Sequence, residues 1–249
     1  MSERNITRIA MWSGPRNIST AMMRSFASRA DTIAVDEPFY AAYLKRTGLD
    51  HPMRTAIIAA GETSAKKVAE QLMGPLPTGK SVFYQKHMTH HMIAGIPRRW
   101  IDRVENTFLI REPERVLASY VAKRETVELA DIGYVAQAEI FDQVADRLGA
   151  APPVVAAADV RNHPKVILSK LCDRLAIAFD PAMLRWEPGI HLYDGVWASH
   201  WYHQVAQSTG FAPLSPAEEA LPELPVALRR IADAARPYYE RLAVHRIKP

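Results

Sequence analysis

The stretch that most constrains this chain runs from Arg8 to Arg29, RIAMWSGPRNISTAMMRSFASR. A short apolar run, Ile9 to Trp12, gives way to Ser13-Gly14-Pro15-Arg16-Asn17, and a helical pattern follows from Ile18. Strand, tight turn, helix is the arrangement that aims backbone N–H groups and a helix N-terminus at an anion. Gly14 lets the turn come close to a ligand, and Pro15 fixes φ just before Arg16. Arg16 offers a planar fork of donors, and Ser19 and Thr20 add hydroxyls in the first helical turn. This corner suits a phosphate or sulfate group; an ordinary βα unit with a polar turn has the same outline.

At 249 residues the chain is long enough for one sizeable α/β domain, and we read residues 1–249 as a single domain. The lone cysteine, Cys172, excludes an internal disulfide and any cysteine-based zinc site, and fits a reducing compartment. The N-terminal MSERNITRIAMW has polar residues where a secretory signal needs an apolar core, and no apolar run has the length of a membrane span. The sequence therefore predicts a cytoplasmic protein without a membrane partner. A net charge of +4 favours an anionic ligand but is too small to argue for nucleic acid, and no aromatic stripe interleaves the basic residues.

Strands and helices alternate along the chain. Thr32 to Val35 reads as a second strand, ending at Asp36-Glu37-Pro38. Pro38 disfavours helical φ/ψ at Glu37, which puts that carboxylate at a strand's carboxyl end, where open α/β sheets bind ligands. Helix-capping charge before Phe39–Leu44 is the competing reading of Asp36 and Glu37. Residues 41–62 read as a helix and then a loop around Gly48, His51 and Pro52, and Thr63–Met73 as an amphipathic helix. Gly74-Pro75-Leu76-Pro77-Thr78-Gly79-Lys80-Ser81 matches a Walker A string, but it follows a helix and leads into a strand, the reverse of a phosphate-binding loop. That strand, from Val82, runs into Lys86-His87-Met88-Thr89-His90-His91. These histidines lack HExxH spacing and cysteine support, so no metal site is expected. A lysine and a histidine at a strand end suit proton transfer better.

The pattern continues with an irregular basic segment, Ile96–Val104, and a buried strand, Thr107–Ile110, with Arg111 at its end. Pro113 starts a helix read as Glu114–Lys123, carrying Ser119. A helix at Ile132–Leu148, a strand at Val154–Ala158 ending in Asp159, and a helix at Val166–Leu175 come next. A loop-rich segment with Trp186, Trp197 and Trp201 precedes the closing helix, Pro225–Leu242. Five strands alternating with helices predict an α/β fold: a central parallel sheet flanked by helices on both faces.

Three landmarks in one order, Gly14-Pro15-Arg16-Asn17-Ile18-Ser19-Thr20, Lys86-His87, and Arg111 with Ser119, resemble the sulfotransferases that use 3′-phosphoadenosine-5′-phosphosulfate (PAPS). The first is similar to that family's 5′-phosphosulfate loop. Lys86-His87 lies where cytosolic members carry a Lys-Thr-His strand end with the catalytic histidine. Ile110 to Ser119 resembles the 3′-phosphate motif, an arginine and a serine eight positions apart. Gly195 to Trp201 is similar to the late Gly-Asp-Trp-Lys-Asn-His segment, and Glu37-Pro38 resembles the Glu-Pro of bacterial carbohydrate sulfotransferases, whose glutamate is the proposed base. The chain departs from the pattern in carrying Arg16 where lysine is commoner, in lacking an Arg-Lys-Gly tripeptide before Gly195, and in having Lys86 and His87 adjacent, which sends them to opposite faces of a strand.

The resemblance implies a P-loop-like sulfotransferase fold and transfer of a sulfuryl group from PAPS to a hydroxyl or amine of a small-molecule or carbohydrate acceptor, without a metal. Arg16, Ser19, Thr20 and helix N–H groups would hold the sulfate and 5′-phosphate. Arg111 and Ser119 would clamp the 3′-phosphate, Lys86 would neutralise the leaving oxygen, and Glu37 or His87 would take the acceptor's proton. Two other readings stay open: a magnesium-dependent P-loop nucleotide kinase, supported by the Walker-like string and by Asp159, and a sulfotransferase-like protein that binds without turnover. Acceptor and oligomeric state are not legible.

Overall fold

In the computed structural model, which describes residues 6–121 and 127–249, five parallel strands form one sheet in the order β2-β3-β1-β4-β5. They are β1 (Thr7–Ser13), β2 (Thr32–Asp36), β3 (Val82–Met88), β4 (Glu105–Ile110) and β5 (Val154–Ala156). The helices are α1 (Ser19–Ala27), α2 (Tyr40–Thr47), α3 (Arg54–Ala60), α4 (Ala65–Leu72), α5 (Pro113–Val121), α6 (Tyr134–Leu148), α7 (Ala157–Asn162), α8 (Pro164–Arg174), three single-turn helices α9 (Ala198–Trp201), α10 (His203–Ala206) and α11 (Pro216–Glu219), and the long closing helix α12 (Val226–Ala243). None of these helices is long and apolar enough to cross a membrane.

Strand alternation sorts the core into two layers. Ile9, Met11, Val82, Tyr84, Leu109 and Val155 face α1 and α8, meeting Met22, Met23, Phe26, Leu168 and Leu171. Ala10, Trp12, Phe83, Phe108, Ile110 and Val154 face the other way, onto Val68 and Leu72 of α4, Ile140, Phe141 and Val144 of α6, and Leu242 of α12. Both faces are covered, which is why the strands read as nearly continuous apolar runs.

The order of the strands locates the crevice. After β1 the chain crosses β3 to reach β2, whereas after β4 it steps outward to β5. Neighbouring strands β1 and β4 thus send their following segments in opposite directions, and the gap that opens between their carboxyl ends is where open α/β sheets take ligands.

The structure corrects several boundaries. The fifth strand stops at Ala156; Ala157 to Asp159 open α7 instead, because a run of alanines favours helix once ladder partners end. Asp159 therefore does not stand at a strand end, and it pairs with Arg246 at 3.2 Å. Residues 41–62 hold a second helix, α3, rather than a plain loop. The helix expected to reach Lys123 is described as far as Val121; Ala122 and Lys123 lie outside the described residues. The Walker-like string joins α4 to β3 at the amino edge of the sheet, where the Lys80 ammonium donates to Ala30 O.

Candidate active site

Two corners of the sheet's carboxyl edge carry the candidate residues. The first is the crevice between β1 and β4. Gly14 passes so close to the turn before α6 that a Cβ there would lie 2.4 Å from Ile132 O. Arg16 and Ile18 both adopt left-handed backbone, with φ of 57° and 36°. For a β-branched residue such as Ile18 this is a genuine outlier, of the kind that persists at ligand-binding turns. Asn17 anchors the loop, donating from Nδ2 to Leu109 O at 2.7 Å. No side chain caps the N-terminus of α1, which leaves the N–H groups of its first turn, beside the Ser19 and Thr20 hydroxyls, open to an anion.

Arg111 and Ser119 arrive from β4 and α5. Arg16 Nε donates to Ser119 Oγ at 3.0 Å, and Arg111 Nη1 donates to Arg16 O at 2.7 Å. Tyr134, which the sequence did not single out, donates its hydroxyl to Arg111 O at 2.6 Å. The predicted phosphosulfate loop and the predicted 3′-phosphate motif therefore form one corner. Among the described residues neither Arg16 nor Arg111 has a carboxylate in ion-pair reach. Burial lowers the proton affinity of both guanidiniums, yet each stays charged at neutral pH. Two half-buried guanidiniums without acidic partners among the described residues, an uncapped helix and the buried, unpartnered Ser13 hydroxyl, which can donate, make a site whose chemistry fits a doubly phosphorylated nucleotide.

The second corner lies at the ends of β2 and β3. Asp36 and Lys86 are register partners and point to the same face. The Lys86 ammonium, 1% exposed, donates to Asp36 Oδ1 at 2.8 Å, Glu37 Oε1 at 2.7 Å and the Tyr202 hydroxyl at 2.7 Å. An ammonium has three N–H donors, so all are committed and none is left for a leaving oxygen. The role expected for Lys86 at that oxygen is not what this geometry offers. Burial opposes the ammonium, but the two carboxylates outweigh it and hold its proton affinity well above that of ordinary lysine.

Glu37 sits at φ 40°, its N–H donating to Lys86 O, and 11% of its side chain is exposed. Burial raises its carboxyl pKa; Lys86 pulls it down, Asp36 pushes it up, and the net direction is upward. Neither acid caps α2, whose first residue follows Phe39 without a side-chain cap. Asp36 Oδ2 instead accepts from the Tyr202 hydroxyl at 2.6 Å and from Gly195 N at 3.1 Å, which fastens the late segment over this corner. Tyr202 had no sequence signal beyond its place beside Trp201.

His87 lies on the opposite face. It stacks on Trp12 at 4.6 Å between ring centroids and also meets Trp100 and Phe39, with Gln85 Oε1 3.3 Å from its Nε2. Burial drives its pKa down to about 3. Alternation turns His87 to the face opposite Lys86, while the left-handed turn at Glu37, φ 40°, carries its carboxylate to Lys86, so the structure does not bring His87 to the site. Its role as an alternative base is set aside for that reason. His91 is likewise buried, sandwiched between Tyr40 and Tyr43.

Comparison with known proteins now adds the family. Residues 7–246 match the family model of the sulfotransferase domain. The chain belongs to that family. Two curated relatives from Arabidopsis thaliana, the branched-chain-amino-acid aminotransferase-like proteins 1 and 2, are 36% and 34% identical over 82% of this chain. This chain spans only 36% of the length of either relative. Among solved structures, the sulfotransferase from Alicyclobacillus acidocaldarius matches 99% of this chain and 98% of its own at a TM-score of 0.57 and 12% identity. The sulfotransferase domain from the curacin biosynthetic pathway matches 99% and 100% at 0.54 and 17%. At such identities the likeness is one of fold: this sulfotransferase-family chain carries a sulfotransferase α/β architecture.

Proposed function

We propose that this sulfotransferase-family protein moves a sulfuryl group from PAPS to a hydroxyl or amine of a small-molecule or carbohydrate acceptor. One observation carries the reading: Arg16 meets Ser119 and Arg111, 103 and 95 positions further along, in the crevice between β1 and β4 as a cationic corner without acidic partners among the described residues. When bound, PAPS supplies the sulfuryl group and a leaving nucleotide. Arg16, the hydroxyls of Ser19 and Thr20 and the N-terminus of α1 hold the phosphosulfate, with Gly14, Pro15, Asn17 and Ile18 shaping the loop. Arg111 and Ser119 take the 3′-phosphate.

Sulfuryl transfer is a loose in-line displacement, so by analogy with phosphoryl transfer the protein mainly positions groups and stabilises charge. Glu37 removes the proton of the attacking hydroxyl or amine as the new bond to sulfur forms and the bond from sulfur to the 5′-phosphate oxygen breaks. The products are the sulfated acceptor and adenosine 3′,5′-bisphosphate. Lys86 acts as the partner that aims Glu37. The kinase reading loses its support, since Asp159 belongs to a helix and the Walker-like string lies at the amino edge of the sheet.

The test is calorimetry with adenosine 3′,5′-bisphosphate in the absence of magnesium. Micromolar binding that Arg111→Ala abolishes is expected. No binding, or binding that Arg111→Ala leaves intact, overturns the reading.

A further inference from the structure

A general base paired with an ammonium faces a conflict. A lysine at 2.7 Å stabilises the carboxylate and so weakens it as a proton acceptor. The corner at Glu37 contains a second carboxylate that relieves this. Asp36 lies 2.8 Å from the same Lys86 Nζ, on the same face of the sheet, and its other oxygen is held by the Tyr202 hydroxyl and Gly195 N. Tyr202 in turn lies against the lysine, with Nζ 5.1 Å from its ring centroid. Asp36 is therefore fixed by three groups, while Glu37 keeps an edge toward solvent. The two carboxylates outnumber the one cation.

We propose that Asp36 is a positioning residue for sulfuryl transfer: it shares the Lys86 ammonium with Glu37, so that Glu37 is aimed by the lysine yet remains able to accept the acceptor's proton. This inference rests on the reading of Glu37 as the base. It gives Lys86 an orienting duty, and it explains why a strand end carries two consecutive acids when only one reaches the outside.

The other charged and titratable groups around this corner agree. From β3, the Tyr84 phenol interacts with Lys86 and Asp36, and burial keeps it protonated. From the late segment, burial and Asp36 keep the Tyr202 phenol protonated, so it donates to Asp36 rather than adding charge. Asp194 adds negative potential at Asp36, but Arg24, 2.8 Å from Asp194 Oδ2, offsets it from α1. His91, from the turn after β3, interacts with Lys86 and is held neutral by burial. None supplies a second cation to Glu37 itself.

The test reads Glu37 directly. Protein labelled with ¹³C at the glutamate carboxyl carbon is titrated by NMR, and the Glu37 signal is the one missing from Glu37→Gln. The wild-type midpoint is expected above the ordinary glutamate value of about 4.3. Asp36→Asn leaves Lys86 to Glu37 alone, and the midpoint is expected to fall by about one pH unit or more. A merely structural Asp36 would loosen the fold without moving that midpoint downward. A wild-type midpoint below the ordinary value, or a midpoint that stays or rises in Asp36→Asn, overturns the proposal. Should Asp36→Asn not fold, Asp36→Ser, smaller and equally neutral, is read with the same expected fall, because burial by itself raises the wild-type midpoint. The adenosine bisphosphate titration separates the two readings. If the midpoint behaves as expected but no bisphosphate binds, the sulfotransferase chemistry falls, and with it the catalytic meaning of Asp36.

Discussion

Replacing Gly14 by alanine tests whether the close fit of the loop after β1 is what shapes the proposed nucleotide site. The new Cβ would stand 2.4 Å from Ile132 O, where real Cβ contacts do not come nearer than 3.0 Å. The obstacle is backbone, so no side chain can rotate out of the way. Either the loop lifts, or the turn carrying Ile132 retreats. The turn is itself tied down, since Gly133 O accepts from Thr89 Oγ1 at 2.8 Å and the Tyr134 hydroxyl holds Arg111 O. Overpacking of this kind costs about 1–3 kcal/mol. Strain retained in the fold appears as a lower urea midpoint with an unchanged slope. Strain relieved by lifting the loop appears as weaker bisphosphate binding, with about a tenfold loss for each 1.4 kcal/mol. The two losses together are expected to account for that range. Gly48→Ala is the comparison: its φ of +71° makes alanine unfavourable, but nothing lies within 4 Å of the added atom. It should lower stability by about 1 kcal/mol and leave binding unchanged. Normal stability and normal affinity in Gly14→Ala would refute the argument that contact with Ile132 shapes the loop.

Two further outcomes follow from the buried groups. The folded-state pKa of His87, about 3, lies below its ordinary value of about 6.5, so the unfolded chain binds the proton more readily. The contribution of His87 is then complete above about pH 6.5 and is lost as pH falls towards 3; His91, also depressed, acts in the same direction. Urea unfolding of His87→Phe, which keeps a ring against Trp12, should show a shallower loss of stability between pH 6.5 and 4, and an unchanged slope of that decline would contradict it. Asp194→Ala strands the fully buried Arg24 guanidinium and should cost about 3–5 kcal/mol by the same assay; a loss under about 1 kcal/mol would show that the pair is not sealed from water.

Much of this was legible in the sequence because it is local. Ile9 to Thr20 announces a strand, a turn and a helix within one short window, and Arg111 to Ser119 does the same one unit later. The adjacency of Lys86 and His87 also carried a sound warning, since alternation along a strand must part them. What it could not say is which face holds the chemistry. That depends on the register with β2, which sets Asp36 beside Lys86, and register is a property of two distant segments. The alanine run at 156–158 misled because a short buried strand and a first helical turn share a composition. Tyr202 was invisible because its meaning lies wholly in a partner far upstream, and Tyr134 for the same reason.

The hydrogen bond between Tyr202 and Asp36 joins residues 166 positions apart, and Arg24 and Asp194 are 170 apart. Beyond both, the amide of Ile247 donates to Val154 O, so the outer strand acquires this ladder partner from the far end of the chain. The crevice between β1 and β4 thus has all its named residues once Tyr134 has been added to a growing polypeptide, whereas the corner at Glu37 lacks Gly195 and Tyr202 until much later in synthesis.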